Sequence, residues 1–363
     1  MLLNLHKQDK DKVIFLKILL LPFSLLYGGI TAIRNYAYDK GWYKSYTLPV
    51  AVVCVGNIKA GGTGKTPFTQ LLLQQFAGKY KTAVLSRGYG RKTKGFVLAT
   101  AASTSAEIGD EPLQLYTHAQ GVYAVAVCED RVAGVEKLLQ LIPDLKLVIL
   151  DDGFQHRRIN RDVNILLTEY QAPFYADWVL PAGRLREFRN GATRADAVVV
   201  TKTPAHAALL KTDNILRHTA KAIPVLYTTI EYGATRNEDG NYTWQPNEKA
   251  VLVTGIANPQ PLVQYLNSRH IDIIKQFEFK DHYSYTLRDI QQMLDYQNAN
   301  DGVKIVMTEK DWVKVVPLLR ELNLSKGWYY VPIQIGIYSD QQQLLNTVET
   351  KIIDRLNRLT QHT

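Results

Sequence analysis

Lys65 and Thr66 close the run GNIKAGGTGKTP, residues 56–67, and the chemistry they suit is the handling of phosphate. The small residues Gly61, Gly62, Thr63 and Gly64 let backbone N–H groups turn inward on an anion. A helix opening at Lys65 adds its partial positive charge, the lysine adds a full one, and the threonine hydroxyl suits Mg²⁺. The general pattern is G-x-x-x-x-G-K-[ST]. Lys59 stands at its first glycine position, a departure that leaves the grip at the loop entrance unexplained by the pattern.

Further polar residues follow other apolar runs. LKLVILDDGFQHRR, residues 145–158, ends a β-rich stretch in Asp151-Asp152, where a carboxylate could hold Mg²⁺ directly or through water. SRGYGRK, residues 86–92, offers Arg87, Tyr89 and Arg91 as a clamp for an anionic substrate. PAGRLREFRNGATRAD, residues 181–196, sets Arg184, Arg186, Arg189 and Arg194 around Glu187, and arginine suits bidentate phosphate contacts. Asp110 in IGDEP, Asp281 and His282 in KDHYSY, and the charged TEKDW at 308–312 are ordinary loop or cap residues if each stretch is read alone. A guanine reader, [NT]-K-x-D, is absent after the strand DAVVVTK, where the chain continues Thr203-Pro204. The expected nucleotide is therefore ATP.

The elements that must position these groups alternate. From residue 51 to 222 short β-rich runs (AVVCVG, TAVLSRGYG, VYAVAV, LKLVILDD, VNILLT, DAVVVTK) are separated by helical patterns. That rhythm predicts an α/β fold with a mostly parallel sheet, flanking helices, and ligands at the strand C-terminal ends. Residues 223–247 hold two β-rich runs about Asp239-Gly240, which predicts a hairpin acting as a two-stranded linker. Residues 248–363 restart the strand–helix rhythm as a smaller α/β domain. Its end, with Leu344, Leu345, Val348, Ile352, Leu356 and Leu359 at helical spacing, is expected to be a closing amphipathic helix.

Residues 1–50 form a separate region. VIFLKILLLPFSLLYGGITAI, residues 13–33, is the most apolar stretch, preceded by Lys7, Lys10 and Lys12. A signal peptide would carry the nucleotide site away from ATP and lacks a small-residue cleavage site. A spanning helix is weakened by Lys17, Pro22 and Gly28-Gly29. The expectation is a helix lying in the headgroup region of an anionic membrane, with an ordinary packing helix as the alternative. The 363 residues carry a net charge of +9, which favours an anionic partner. The basic residues follow strand ends and form no stripe, and no nucleic-acid motif occurs, so nucleic acid is not expected. Two cysteines, both in apolar runs, exclude a disulfide framework. A membrane-partitioning ATPase of the deviant type would have lysine where Ala60 stands.

GNIKAGGTGKTP, SRGYGR, GDEP, LDDGFQHR, LPAGRLRE and DHYSY, in this order, resemble the tetraacyldisaccharide 4′-kinase family, the lipid A 4′-kinases. The resemblance implies a P-loop NTPase-like domain, a smaller second domain and a two-stranded linker. It implies transfer of the γ-phosphate of ATP, with Mg²⁺, to the 4′-hydroxyl of a tetraacylated glucosamine disaccharide 1-phosphate at the cytoplasmic face of the inner membrane, with no protein partner required. It assigns Asp110 and His282 as the base, drawn from different domains and assembled by closure, with Lys65 and Arg186 at the transferring phosphate. Thr66, Asp151, Asp152 and Glu187 would organise Mg²⁺. Tyr89 and Arg131 would contact the acceptor phosphate, and Arg87 of the same basic turn as Tyr89 is expected to join them.

Overall fold

The computed structural model describes residues 2–204, 207, 212–220, 222–324, 326–337 and 341–361. Its elements run α1 (Leu2–Asp39), β1 (Ala51–Gly56), α2 (Lys65–Phe76), β2 (Thr82–Ser86), β3 (Val97–Leu98), α3 (Ser105–Ile108), α4 (Asp110–Ala119), β4 (Ala124–Val127), α5 (Arg131–Leu141), β5 (Leu147–Asp151), β6 (Val163–Glu169) and β7 (Ala197–Thr201). They continue α6 (Thr212–Leu216), β8 (Val225–Tyr232), β9 (Lys249–Thr254), α7 (Gln260–Ser268), β10 (Asp272–Glu278), α8 (Leu287–Ala299), β11 (Lys304–Thr308), α9 (Glu309–Glu321), β12 (Trp328–Val331), β13 (Ile333–Ile337) and α10 (Gln341–Thr360). The chain divides into two compact units, one of Met1–Leu85, Arg131–Thr229 and Gly336–Thr363, the other of Ser86–Asp130 and Ile230–Ile335.

In the first unit β1 lies between β5 and β6, parallel to both, and β2, β7 and β8 extend the parallel order outward. Every residue of β1 is buried. A strand covered on both faces reads as an unbroken apolar run, which is why AVVCV shows no alternation. The register sets Val55 opposite Asp151. The phosphate loop leaving β1 and the acids ending β5 are therefore neighbours by strand pairing alone.

The second unit has a parallel sheet in the order β10-β9-β11-β12. Trp328, Ile305, Val253 and Val315 are among its buried core residues. Residues 86–130, placed by the strand rhythm within a kinase domain of 51–222, belong to this unit. The closing helix α10, expected with the second domain, belongs to the first. Lys351 Nζ lies 2.5 Å from Asp196 Oδ1 and Arg355 Nη2 donates to Leu48 O at 2.6 Å. An amphipathic pattern specifies a covered face without specifying what covers it. The hairpin expected at 223–247 is also reduced. Its first run is β8, parallel to β7 and neighboured on its other side by β13 rather than by the second run. Beyond it a turn is closed by the bridge Arg236–Asn241 and by Tyr242 N donating to Thr235 O at 2.7 Å.

Helix α1 docks on the first unit along a stripe of small residues. Ser24 Oγ accepts from Ala182 N at 2.9 Å, and Gly28 lies so close to Phe188 that a Cβ there would fall 2.4 Å from the ring. Large apolar side chains around the rest of the helix, including Ile18, Phe23, Leu26, Ile30 and Ile33, are each at least 60% exposed. The segment Phe15–Asp39 is long and apolar enough to cross a membrane.

Candidate functional site

The phosphate loop is formed by backbone conformations that favour glycine. Gly61 has φ 118° and Gly64, which precedes α2, has φ 77°. Asn57 Nδ2 donates to Thr63 Oγ1 at 2.7 Å, and Thr201 Oγ1 donates to Thr63 O at 2.9 Å. Lys202, in the run that lacks a guanine reader, donates to the Gly62 carbonyl and pairs with Glu169. Thus β7 braces the loop from outside.

Facing the loop, Asp152 lies 3.8 Å from Lys65 Nζ, and Arg186 Nη1 reaches its two carboxylate oxygens at 3.2 and 3.3 Å. Burial alone would push the Asp152 carboxyl up, but Lys65 and Arg186 outweigh it and hold its pKa below the ordinary range. Asp152 also has φ 54°, in the left-handed region that aspartate tolerates better than most non-glycine residues. Asp151 is fully buried and accepts from Thr69 Oγ1 at 2.9 Å. The two adjacent acids are thereby separated in role: Asp151 anchors α2 to β5, and Asp152 meets the cations.

Glu187, expected near Mg²⁺, is 1% exposed and accepts from Arg194 Nη2 at 2.7 and 2.8 Å, Asn35 Nδ2 at 2.7 Å and Gln155 Nε2 at 3.1 Å. It is the centre of a network that includes α1 and, through Gln155, whose Nε2 also donates to Asn57 O at 2.7 Å, the entrance of the loop. Among the described residues no three His, Cys, Asp or Glu side chains are grouped to hold a metal ion. Mg²⁺ in phosphoryl transfer needs only one or two carboxylates beside phosphate and water, so Thr66 with Asp152 remains a fitting donor set. Arg131, expected at the acceptor, is buried at the start of α5 and donates from Nη2 to Asp152 O at 3.2 Å.

In the second unit, Asp110 Oδ2 lies 3.2 Å from His282 Nδ1. The pair was expected to join two domains, but both residues belong to this one unit. Gly109, with φ 91° and a Cβ position 2.9 Å from Tyr89 O, admits no side chain, so the chain packs closely on the Tyr89 backbone just before Asp110, the first residue of α4. His282 has φ 59°. Lys310 Nζ is 3.3 Å from His282 Nε2 and 2.8 Å from Asp281 Oδ1. Lysine can only donate, so Nε2 accepts and Nδ1 carries the proton it shares with Asp110. Burial raises the Asp110 pKa, but the hydrogen bond from His282 and the charges of Lys314 and Lys310 bring it below the ordinary value.

Tyr89, exposed, places its ring 5.2 Å from that of His282, and Arg87 is exposed beside it in sequence. Arg91 is instead tied to Glu129 at 2.6 Å and to Gly95 O. Lys314 was not singled out from the sequence, and Lys310 entered only as part of TEKDW. Their i, i+4 spacing on α9 was the available signal, and Thr308 and Asp311 of TEKDW fix that helix start, with Thr308 Oγ1 accepting from Asp311 N at 3.1 Å.

With both constellations described, comparison with known proteins is decisive. A family model described as tetraacyldisaccharide-1-P 4′-kinase matches residues 16–353. The chain belongs to the tetraacyldisaccharide-1-P 4′-kinase family. It is 39% identical to a tetraacyldisaccharide 4′-kinase of Bacteroides thetaiotaomicron over 90% of each chain. It is 38% identical to one of Flavobacterium johnsoniae over 90% of this chain and 94% of that one. A crystal structure of the "apo" form of LpxK from Aquifex aeolicus in complex with ATP is 28% identical, covers 93% of this chain and 99% of its own, and superposes with a TM-score of 0.73. The expected fold class, a P-loop NTPase-like α/β sheet with a smaller second sheet, holds for this family member.

Proposed function

We propose that this enzyme transfers the γ-phosphate of ATP to the 4′-hydroxyl of a tetraacylated glucosamine disaccharide 1-phosphate, a step of lipid A synthesis. The observation that carries the chemistry is the register of β1 with β5, which sets Lys65 and Asp152 beside each other at a glycine-rich loop. Gly61, Gly62, Thr63 and Gly64 cradle the ATP phosphates by their backbone, and Lys65 and Arg186 offset charge on the transferring group. Thr66 and Asp152 would hold Mg²⁺, with Asp151 supporting from behind. The ion, when bound, neutralises charge building on the phosphate oxygens. Asp110, its carboxylate held by His282, accepts the proton of the attacking hydroxyl, and Lys310 orients the imidazole from its other nitrogen. Arg87 and Tyr89 bind the acceptor.

The enzyme works at the cytoplasmic face of the inner membrane, where ATP and the lipid-linked acceptor are both present. Supporting this are the exposed apolar side chains of α1 and the lysines near its start. The test of the reaction is incubation with radiolabelled ATP and the tetraacyl disaccharide 1-phosphate. Labelled lipid is expected from the wild type and not from Lys65→Ala; no labelled lipid from the wild type would overturn the assignment.

A further inference from the structure

Lys59 departs from the generic phosphate loop, and nothing in the reaction just described uses it. Its side chain is 4% exposed, so its ammonium must be compensated internally. Lys59 Nζ lies 3.0 Å from Asp177 Oδ2 and donates to Ala172 O at 2.7 Å. The lysine thus reaches away along the chain to the segment that precedes Arg186.

That segment is a tight turn. Asp177 Oδ1 accepts from Trp178 N at 2.8 Å and from Arg184 N at 3.4 Å, and Leu185 N donates to Trp178 O at 2.8 Å. Gly183 closes it: a Cβ there would lie 2.2 Å from Trp178 O and 2.6 Å from Asp177 Oδ1. The returning strand of the turn pairs antiparallel with the phosphate-loop entrance through the bridge Lys59–Leu185. Ala60 N donates to Arg184 O at 2.7 Å and Arg186 N to Ile58 O at 2.8 Å. Lys59 therefore holds the turn at both ends, by its side chain at Asp177 and by its neighbours' backbone at Arg184 and Arg186. Arg186 leaves this clamp directly to meet Asp152 and Gln155.

We propose that Lys59 is a positioning residue for phosphoryl transfer, fixing Arg186 against the phosphate loop through its ion pair with Asp177. The inference rests on the reading of Arg186 as a contact of the transferring phosphate. Lysine does here what a glycine at this position cannot: it ties the loop to the arginine-bearing turn, leaving Gly61 and Gly64 to supply the loop's backbone freedom.

The test is a mutant cycle in the full-length kinase, with kcat, KM for ATP and melting temperature measured together. Lys59→Met is expected to lower kcat about tenfold with KM for ATP within about twofold, since a small displacement of a positioned group costs rate more than binding. Asp177→Asn should reproduce the loss, and Lys59→Arg should recover part of it. In an Arg186→Ala background, Lys59→Met should cost little more. Full multiplication of the two losses, or an unchanged kcat in a folded Lys59→Met protein, would overturn the inference. If Lys59→Met does not fold, Lys59→Arg and Asp177→Asn in the two backgrounds decide it by the same criterion. Wild-type kcat in Arg186→Ala alone would overturn both the role of Arg186 and this inference, whereas loss there with none in Lys59→Met overturns this inference only.

Discussion

Asp110 Oδ2 and His282 Nδ1 stand 3.2 Å apart although 172 residues of chain separate them. Both are held before any substrate arrives, Asp110 by His282 and by Lys314 Nζ at 3.5 Å, and His282 by Asp110 on one nitrogen and Lys310 on the other. A base assembled in this way should act in the chemical step. Asp110→Asn is expected to lower kcat by about 10²–10⁴ while leaving KM for ATP nearly unchanged. Steady-state kinetics at saturating acceptor check this, and undiminished turnover would remove Asp110 from the mechanism.

Lys310 contributes a positive charge that helps hold the Asp110 pKa down. Lys310→Met removes that charge, so the Asp110 pKa should rise. The acid limb of the kcat/KM profile should move to higher pH. An acid limb in the wild-type position would show that the lysine does not act on the base.

The same depressed pKa links Asp110 to stability. A carboxylate whose pKa is lower folded than unfolded stabilises the protein fully above its ordinary value of 3.8, and that contribution disappears as pH falls through the lower folded value. Denaturation of wild type and Asp110→Asn should therefore show a stability gap at neutral pH that narrows on acidification below about pH 5. A gap independent of pH would contradict the assignment of the shift.

Glu187 separates a structural reading from a metal-binding one. It is buried and paired with Arg194, so Glu187→Ala strands a buried cation and should destabilise the fold by about 3–5 kcal/mol. The apparent affinity for Mg²⁺, read from the Mg²⁺ dependence of the rate, should stay as in wild type. A large loss of Mg²⁺ affinity with little change in melting temperature would restore Glu187 to the metal site.

The exposed apolar face of α1 is expected to hold the kinase on membranes. Deleting residues 1–33 should release it from anionic vesicles in a flotation assay, while Asn35 O and Asp39 Oδ1, which accept from Arg157 Nη1 and Nη2, remain in place. Continued flotation would place the anchor elsewhere.

The sequence by itself determined whatever is continuous along the chain. The apolar strand, the glycines with positive φ and the Lys65-Thr66 helix start are local, so the phosphate loop, the use of ATP and the acids at the end of β5 could be read directly. The ordered motifs also carried the family. Tertiary structure decided which residues meet across long separations. It divided Asp151, bonded to Thr69, from Asp152, facing Lys65 and Arg186, although the two are chemically identical. It placed Lys310 beside His282, turned Glu187 into a network centre and gave α10 to the first unit. Helical periodicity and residue type show that a side chain needs a partner. Only packing, summed over contacts distant in sequence, chooses which one, and Lys59 with Asp177 is the case that no local pattern contained.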